Sequence, residues 1–294
     1  MATLRTETKS LATARPRSRA SAPSLSRALK VGLALVFLAY TLAPMAWLLV
    51  SSFQPRVRLF AKPPSWFPNK IYIENYRAVL ADSSLLSALA NSFLVAAFAT
   101  LLSLFVGTLA AYAFARMRVP IKRPLFLFVL GSQMLPTMVL LIPMFVVLRY
   151  AGLLYSYAGL ILAYLSFTLP YVVWLLRSFF ISLPYEVEEA SLVDGATRLQ
   201  TIYRVVLPLS MPGFVSTGIF AFIGAWNEFL LASVLTDSDT KTFPVRLAQY
   251  IGQDTTAYET MFAAGIVGSL PVVLLVLVFQ RFIVHGLSEG ALKG

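Results

Sequence analysis

The sequence predicts an all-α polytopic membrane protein with six transmembrane helices. Of its 294 residues, 58% are hydrophobic and 13% are charged, whereas soluble domains are about 25% charged. Six windows contain no Asp, Glu, Lys or Arg, and even the shortest is long enough to cross about 30 Å of hydrocarbon as a helix. The windows are 31–55, 83–115, 124–148, 150–176, 205–227 and 260–280.

The distribution of positive charge predicts which side of the membrane each segment occupies. The net charge is +11, but with the amino terminus inside, the inner segments hold 16 Lys and Arg and the outer segments 8. This is the positive-inside pattern, and it explains the basic charge without a nucleic-acid partner. We therefore expect a disordered basic cytoplasmic tail (1–30), a six-helix transmembrane domain (31–284) with a cytoplasmic loop at 181–211, and a cytoplasmic carboxy-terminal tail (285–294).

The third and fourth windows contain prolines, which predict kinked helices. Pro136 and Pro143 lie in the third window and Pro170 in the fourth, and each removes a helix hydrogen bond that neighbours must replace. Such kinks are common along translocation paths, so we take Gln133 and Tyr164 as candidate solute contacts. Ordinary kinked packing is the alternative for each proline.

The polar segment 186–212 is patterned as helix, turn and helix. Gly195 predicts the end of the first helix, in a positive-φ conformation. Thr197 and Gln200 have capping-box spacing and predict the start of a second, amphipathic helix. That helix should end near Val206, because Pro208 disfavours helix at the residue before it. Its apolar stripe would be Leu199, Ile202, Tyr203 and Val206.

One face of the first helix favours docking onto a partner. Val187, Ala190, Ser191 and Asp194 follow helical spacing, and the small side chains at the centre permit close approach. The alternative is a helix lying on the membrane surface, which usually carries Lys and Arg on its polar face. Here that face is acidic, so we favour insertion into a partner's cleft.

The fifth span, Pro212 to Leu235, contains three candidate solute contacts. Asn227 offers an amide that needs partners within a span. Trp226 could stack on a sugar face or anchor the helix at the interface. The Glu228 carboxylate costs about 2.5–3.5 kcal/mol near the membrane centre, so it either faces the path or lies at the outer headgroups.

The segment Glu189-Ala190-Ser191, three residues, Gly195, nine residues, and Val205-Val206-Leu207-Pro208 resembles the EAA loop of permease subunits in ATP-binding-cassette importers. Ser191 replaces the usual Ala, and Val205 the usual Ile. The resemblance implies a type I importer (MetI-like) transmembrane domain whose loop docks into a groove of a cytoplasmic ATPase. The implied coupling residues are Glu189, Ala190, Ser191, Asp194, Gly195, Leu207 and Pro208.

The carboxy terminus extends this resemblance to the maltose-type branch of sugar permeases. The ending Gly290-Ala291-Leu292-Lys293-Gly294 is similar to the tail of one maltose-type subunit. The phrases Ala111 to Arg116 and Trp226 to Phe229 also fit, so the resemblance covers about residues 85 to 294. It implies that Lys293 and Gly294 dock between two ATPase subunits, with a frayed terminus as the alternative.

The expected function is therefore that of a permease subunit in a bacterial or archaeal plasma membrane, importing a sugar or oligosaccharide by alternating access. The resemblance implies a second permease subunit, two ATPases that bind ATP and Mg, and an extracytoplasmic binding protein. The chain itself has no phosphate-binding loop, no cysteine and one histidine, so we expect no cofactor, catalytic or metal site. Import of glycerol 3-phosphate or a polyol, and a self-contained secondary transporter, are the alternatives.

Overall fold

The computed structural model describes residues 24–62, 70–118, 120–252 and 256–291. Its regular secondary structure within those ranges is helical, with one isolated bridge between Ile251 and Thr256, which confirms the all-α class. The first helix begins at Ser24 and the last continues to Ala291, so the expected tail boundaries at 30 and 285 lie inside helices. Lys293, Gly294 and residues 1–23 lie outside the described residues.

The chain divides after Trp47 into two units, and all helices after the first belong to the second unit. In chain order, the helices are α1 (Ser24–Ser52), α2 (Arg56–Leu59), α3 (Glu74–Ala81), α4 (Ser83–Arg116), α5 (Lys122–Ser132), α6 (Thr137–Tyr150), α7 (Tyr157–Ser182), α8 (Tyr185–Val193), α9 (Arg198–Leu209), α10 (Met211–Trp226), α11 (Leu230–Leu235), α12 (Phe243–Ala248) and α13 (Tyr258–Ala291).

Within the part of the chain that the structure describes, four helices are each long and apolar enough to cross a membrane. They are Leu29–Ser52 within α1, α4, α7 and Tyr258–Ile283 within α13. In the described ranges, two further helix pairs are long and apolar enough only when taken together, as broken spans or re-entrant loops, because α5 meets α6 at 97° and α9 meets α10 at 85°. The expected number of six spans is reached if each pair is one span. The third and fifth windows are therefore broken rather than straight.

The prolines of the third and fourth windows differ in their effect on the helices. Pro136 precedes α6 with φ −58° and ψ 129°, an extended conformation that interrupts the helix after Gln133. Pro143 and Pro170, by contrast, lie inside α6 and α7. Pro136 therefore lies at the 97° break between α5 and α6, whereas α6 and α7 continue through Pro143 and Pro170.

The expected end of the second polar helix near Val206 is wrong. A π-helical turn over Ile202–Val206 widens the backbone spacing, and the Leu207 N–H donates to the Ile202 carbonyl. The helix continues through Pro208 to Leu209 and ends at Ser210. Proline has no N–H to donate to the carbonyl four residues before it. The π turn accommodates Pro208 because its hydrogen bonds join residues five apart instead of four.

The centre of the second unit is the packing of α4 against α7. Small buried residues recur every four positions on α4, and buried residues recur with the same spacing on α7, so the two rows can interlock. The rows are Ala99, Ser103, Gly107 and Ala111 on α4, and Leu160, Tyr164, Thr168, Val172 and Leu176 on α7. At their middle the Ser103 and Thr168 hydroxyls lie 2.6 Å apart. Helix α10 packs against both α4 and α7, and α13 packs against α10.

Asp82 caps the first end of α4 and ties it to α12. Its carboxylate accepts the N–H groups of Ser84 and Leu85 at 3.0 and 3.1 Å. It also accepts Arg246 Nη2 at 2.7 Å and the Tyr250 hydroxyl at 3.3 Å. One carboxylate therefore satisfies a helix terminus and holds the neighbouring loop.

Candidate functional site

The segment with the EAA-like pattern forms two short helices joined by a tight turn. Helix α8 ends at Val193, and Gly195 follows with φ +86°. The Ala196 N–H donates to the Ser191 carbonyl at 3.1 Å, which closes the turn. Both the helix end and the positive φ of Gly195 confirm the sequence-based prediction.

The start of α9 is fixed by the predicted capping box. Thr197 Oγ1 accepts the Gln200 N–H at 3.3 Å, and Gln200 Oε1 accepts the Thr197 N–H at 2.8 Å. The Ser191 and Thr201 hydroxyls, 3.1 Å apart, join α8 to α9. Thr201 is fully buried, so the two helices form one packed hairpin.

The exposed residues of this hairpin mix acidic with apolar groups. Glu189, Ala190 and Asp194 are exposed, and Ser191 between them is half-buried. Four large side chains on the hairpin are also open, with exposed fractions of 39% for Val187, 86% for Val193, 58% for Leu199 and 44% for Tyr203. We call these eight residues the α8–α9 surface; exposed apolar groups clustered in this way are typical of interaction sites.

The apolar stripe predicted for the second helix is only half buried. Ile202 and Val206 belong to the core beside α4 and α7, whereas Leu199 and Tyr203 do not. Leu207 is half-buried and Pro208 exposed. Two residues of the stripe, Ile202 and Val206, therefore pack against the spanning helices, and the other two, Leu199 and Tyr203, are exposed on the surface.

Sequence reasoning missed a buried ion pair beneath this surface. Glu188, one of the three glutamates of α8, is 2% exposed. Its Oε1 accepts Arg116 Nε at 2.6 Å, and its Oε2 accepts the Tyr112 hydroxyl at 3.2 Å. Tyr112 and Arg116 are one helical turn apart at the end of α4. This spacing was the feature of the sequence that could have predicted that both side chains bind one partner.

A groove beside the α5–α6 break contains one of the predicted solute contacts. It has a volume of about 350 Å³ and lies between the break, α7 and α10. Gln133 is exposed at its edge and donates Nε2 to the Phe167 carbonyl at 3.0 Å. The residues lining it are Gln133, Phe167, Thr168, Tyr171, Phe220, Ala221, Ile223 and Gly224.

Asn227 ends α10 on the same helical face as Phe220 and Gly224 of this groove. Its side chain is exposed, and Nδ2 donates to the Ile223 carbonyl at 2.9 Å. The amide oxygen has no hydrogen bond among those formed within the described chain. Gln133 and Asn227 thus remain predicted solute contacts, each held by one backbone carbonyl.

Glu228 has a structural role that the sequence did not predict. Its two carboxylate oxygens accept the N–H groups of Leu231 and Ala232 at 2.7 and 3.0 Å. These N–H groups belong to the first turn of α11, where a carboxylate also opposes the helix dipole favourably. The side chain therefore caps α11 across the break after α10.

Trp226 and Tyr164 are not open to solute in this conformation. Trp226 is 4% exposed and stacks on Phe222 and Phe243, with ring centroids 5.9 and 6.4 Å away. It is therefore neither a free stacking face nor an interfacial anchor. Tyr164 is 1% exposed, between α4 and the rest of the core, and its ring meets Phe167 at 5.5 Å.

Among residues 24–62, 70–118, 120–252 and 256–291, no three His, Cys, Asp or Glu side chains are grouped so that they could hold a metal ion. The carboxylates of Glu188, Glu228 and Asp82 are instead engaged by Arg side chains or by backbone N–H groups. The chemistry available at the groove is hydrogen bonding by amides and contact with aromatic rings.

Comparisons with known proteins match most of the chain. Residues 103–289 match the family described as binding-protein-dependent transport system inner membrane component. The sulfoquinovosyl glycerol transport system permease of Agrobacterium fabrum is 37% identical over 94% of this chain and 99% of that protein. The trehalose/maltose permease of Thermococcus litoralis is 35% identical, over 92% and 98%. A chain of a bacterial ABC transporter that imports alginate superposes with a TM-score of 0.74 at 22% identity, covering 91% of this chain and 99% of that one.

Proposed function

Since the chain belongs to the family of inner membrane components of binding-protein-dependent transport systems, it is a multi-pass permease, and we propose that it imports a sugar or oligosaccharide. Support comes from relatives named for trehalose, trehalose/maltose and diacetylchitobiose. The groove adds a physical reason. Its aromatic rings suit the C–H faces of a sugar, and the Gln133 amide suits its hydroxyls.

The same groove favours a neutral solute over glycerol 3-phosphate. A phosphate is usually held by Arg or Lys, and none of the eight lining residues is basic. Asn227 extends the groove face with a further amide. The lining is thus suited to hydroxyl groups rather than to a dianion.

The energy for transport comes, in this proposal, from ATP hydrolysed by two separate cytoplasmic subunits that bind ATP and Mg. The α8–α9 surface supports this, because it presents exposed apolar groups around the Glu189 carboxylate and the small Ala190. A second permease subunit would complete the path, and an extracytoplasmic binding protein would deliver the solute. ATPase movement would then rock the helices between inward and outward access.

The proposed orientation places both termini and the α8–α9 surface in the cytoplasm. The 16 to 8 division of Lys and Arg supports it. The chain has no cysteine, so a single cysteine at Ser191 can be labelled without background. The orientation is wrong if a membrane-impermeant reagent labels that cysteine from outside intact cells.

Reconstitution tests the whole proposal. The tagged chain is purified from its native membrane in mild detergent, co-purifying proteins are identified, and the complex is placed in proteoliposomes with its binding protein. We expect an ATPase and a second permease to co-purify, and ATP-dependent uptake of a disaccharide to exceed that of glycerol 3-phosphate. Uptake driven by an ion gradient without ATP would instead indicate a secondary transporter.

A further inference from the structure

The end of α4 is linked to the middle of α8 by one nearly dry ion pair. The Arg116 and Glu188 side chains are only 11% and 3% exposed. Arg116 Nη2 also donates to the Leu183 carbonyl at 2.7 Å, and the guanidinium lies 5.6 Å from the centre of the Tyr185 ring. Arg116 thus contacts the segment just before α8 as well as the first and fourth residues of that helix.

The pair joins α4 directly to α8, beside the contact of Arg116 with the Tyr185 ring. Helix α8 follows α7 along the chain and is tied to α9 by the Ser191 and Thr201 hydroxyls. Among the hydrogen bonds formed within the described chain, the side-chain bonds from α8 to a spanning helix come from Glu188 and end on Tyr112 and Arg116 of α4. A displacement of α8 therefore acts on α4 through this carboxylate.

Helix α4 is well placed to distribute such a displacement. It packs along the length of α7 and against α10, so its movement changes the same helices that line the groove. The contact is also stiff, because a charge-assisted bond at 2.6 Å in a site with little water is short and directional. The neighbouring acid Glu186 is exposed and lacks these contacts.

We propose that Glu188 is a positioning residue for coupled transport, which transmits movement of the ATPase-docked α8 to α4 through Arg116. The inference rests on the proposed function, and it separates two tasks within one helix. Glu189 and Ala190, on the α8–α9 surface, meet the ATPase. The buried Glu188 connects that contact to the transmembrane helices.

The test uses Glu188→Gln, which keeps the shape of the side chain and removes its charge, with Glu186→Gln as the matched control. Each variant is reconstituted with its partner subunits, and ATPase binding, ATP hydrolysis and solute uptake are measured on the same sample. For Glu188→Gln we expect normal ATPase binding but at least tenfold less solute transported per ATP hydrolysed. Glu186→Gln should transport as the wild type does.

A covalent link provides a second measurement that does not depend on the glutamine variant. Arg116→Cys and Glu188→Cys are combined in this cysteine-free chain and joined by a short bifunctional thiol reagent. We expect uptake per ATP to be low before linking and to recover at least threefold after it. Single-cysteine chains treated with the same reagent are the control.

The outcomes distinguish the inference from the function on which it rests. If wild-type complexes neither bind an ATPase nor take up solute, the proposed function fails. If wild-type complexes transport and Glu188→Gln matches them in solute per ATP, or the linked chain does not recover, Glu188 has no transmitting role. Loss of ATPase binding in Glu188→Gln would make it a docking residue and would also overturn the inference.

Discussion

The two ends of α4 hold their neighbours by different means. At Arg116, one ion pair with Glu188 is almost dry, with exposed fractions of 11% and 3%. At Asp82, the ion pair with Arg246 is partly hydrated, with exposed fractions of 23% and 20%. Because water weakens electrostatic attraction, the same pair of charges acts more strongly at the Arg116 end, and the loss of one partner there is more damaging.

The two ends of α4 also differ in the groups that hold the neighbouring segment. At the Asp82 end, Arg246 Nε donates to the Ser84 hydroxyl at 2.8 Å, in addition to the ion pair. Nearby, Asn91 Nδ2 holds the Asp239 and Lys241 carbonyls at 2.8 and 2.9 Å. The loop before α12 is therefore fixed at several points. At the Arg116 end, the Glu188 carboxylate accepts from Arg116 and Tyr112, and the Leu183 carbonyl accepts from Arg116.

The largest difference should appear when one cation is removed from each end. Arg116→Ala leaves the Glu188 carboxylate buried without its counter-ion, which should lower the free energy of unfolding by about 3–5 kcal/mol. Arg246→Ala removes a partly solvated pair and should cost about 1 kcal/mol. Denaturant unfolding of the two variants in the same detergent measures both. Equal losses would mean that the ends do not differ as their burial indicates.

A substitution in the turn after α8 sharpens the comparison at the Arg116 end. Gly195 has φ +86°, and the space that a Cβ would occupy there is open to 4 Å, so Gly195→Ala introduces backbone strain without a clash. The strain of about 1–2 kcal/mol should shift the hairpin and weaken ATPase binding about 5–30-fold.

The control for this variant is Gly265→Ala. Gly265 also has open space around it, but its φ lies outside the positive range, so alanine there should leave ATPase binding unchanged. Binding of purified ATPase to the membrane complex is titrated for both variants. Equal affinity of the Gly195 and Gly265 variants would show that the turn tolerates strain and does not position the α8–α9 surface.

The features of the hairpin that sequence predicted are those determined by neighbouring residues. The stop at Gly195 and the capping box of Thr197 and Gln200 depend on side chains within four positions. The burial of Glu188 and the exposure of Glu189 do not depend on neighbouring residues. They depend on Arg116, 72 residues before Glu188, and on where the axis of α4 ends. No local pattern distinguishes two adjacent glutamates in an acidic helix.

The same distinction explains the errors along the fifth span. Trp226 was expected to stack on a sugar face or to anchor the helix at the interface, but the ring of Phe243 from α12 stacks on it. Glu228 was placed in a continuous span, whereas the chain breaks after Asn227 and the carboxylate caps α11. Pro208 was expected to end a helix that a π turn carries through it. Each error concerns a packing partner from another helix, or a change in the backbone, that the spacing of nearby residues does not predict.

The pH dependence of the free energy of unfolding tests the partly hydrated Asp82 end of α4. Burial opposes ionisation of Asp82, but hydrogen bonds from Ser84 and Leu85, the charge of Arg246 and the Tyr250 hydroxyl outweigh it and hold the pKa below 3.8. The folded state therefore binds this proton less readily than the unfolded state. The stabilisation is present above pH 3.8 and is lost as the pH falls through the folded pKa.

The variant that isolates this effect is Asp82→Asn. At about pH 7 it should lower the free energy of unfolding by about 1 kcal/mol, because the pair is partly hydrated. The difference from the wild type should shrink as the pH falls from 3.8 toward the folded pKa, because the unfolded carboxyl is protonated first and the folded carboxyl follows. A difference that stays constant from neutral pH to about pH 3 would assign the effect to the exchange of an acceptor oxygen for an amide donor rather than to charge.

The smallest effect on stability is expected at Asn227, where a substitution should instead lower solute uptake. The break after α10 lies beyond the groove, and the exposed amide donates one hydrogen bond, to the Ile223 carbonyl of its own helix. Asn227→Leu should therefore change the free energy of unfolding by less than about 0.5 kcal/mol, as is usual for exposed sites. If the amide contacts a hydroxylated solute, uptake should fall about tenfold, since a lost neutral hydrogen bond is worth about 1.4 kcal/mol at most.

The control for Asn227→Leu must leave the helix ends intact. Leu231→Ala is unsuitable, because Leu231 is fully buried and its truncation leaves a cavity. Ser233→Ala is the matched control, because the exposed Ser233 hydroxyl likewise donates to a carbonyl of its own helix. Equal uptake by the Asn227 and Ser233 variants would mean that Asn227 only completes the end of α10, and that solute contacts lie deeper in the groove around Gln133.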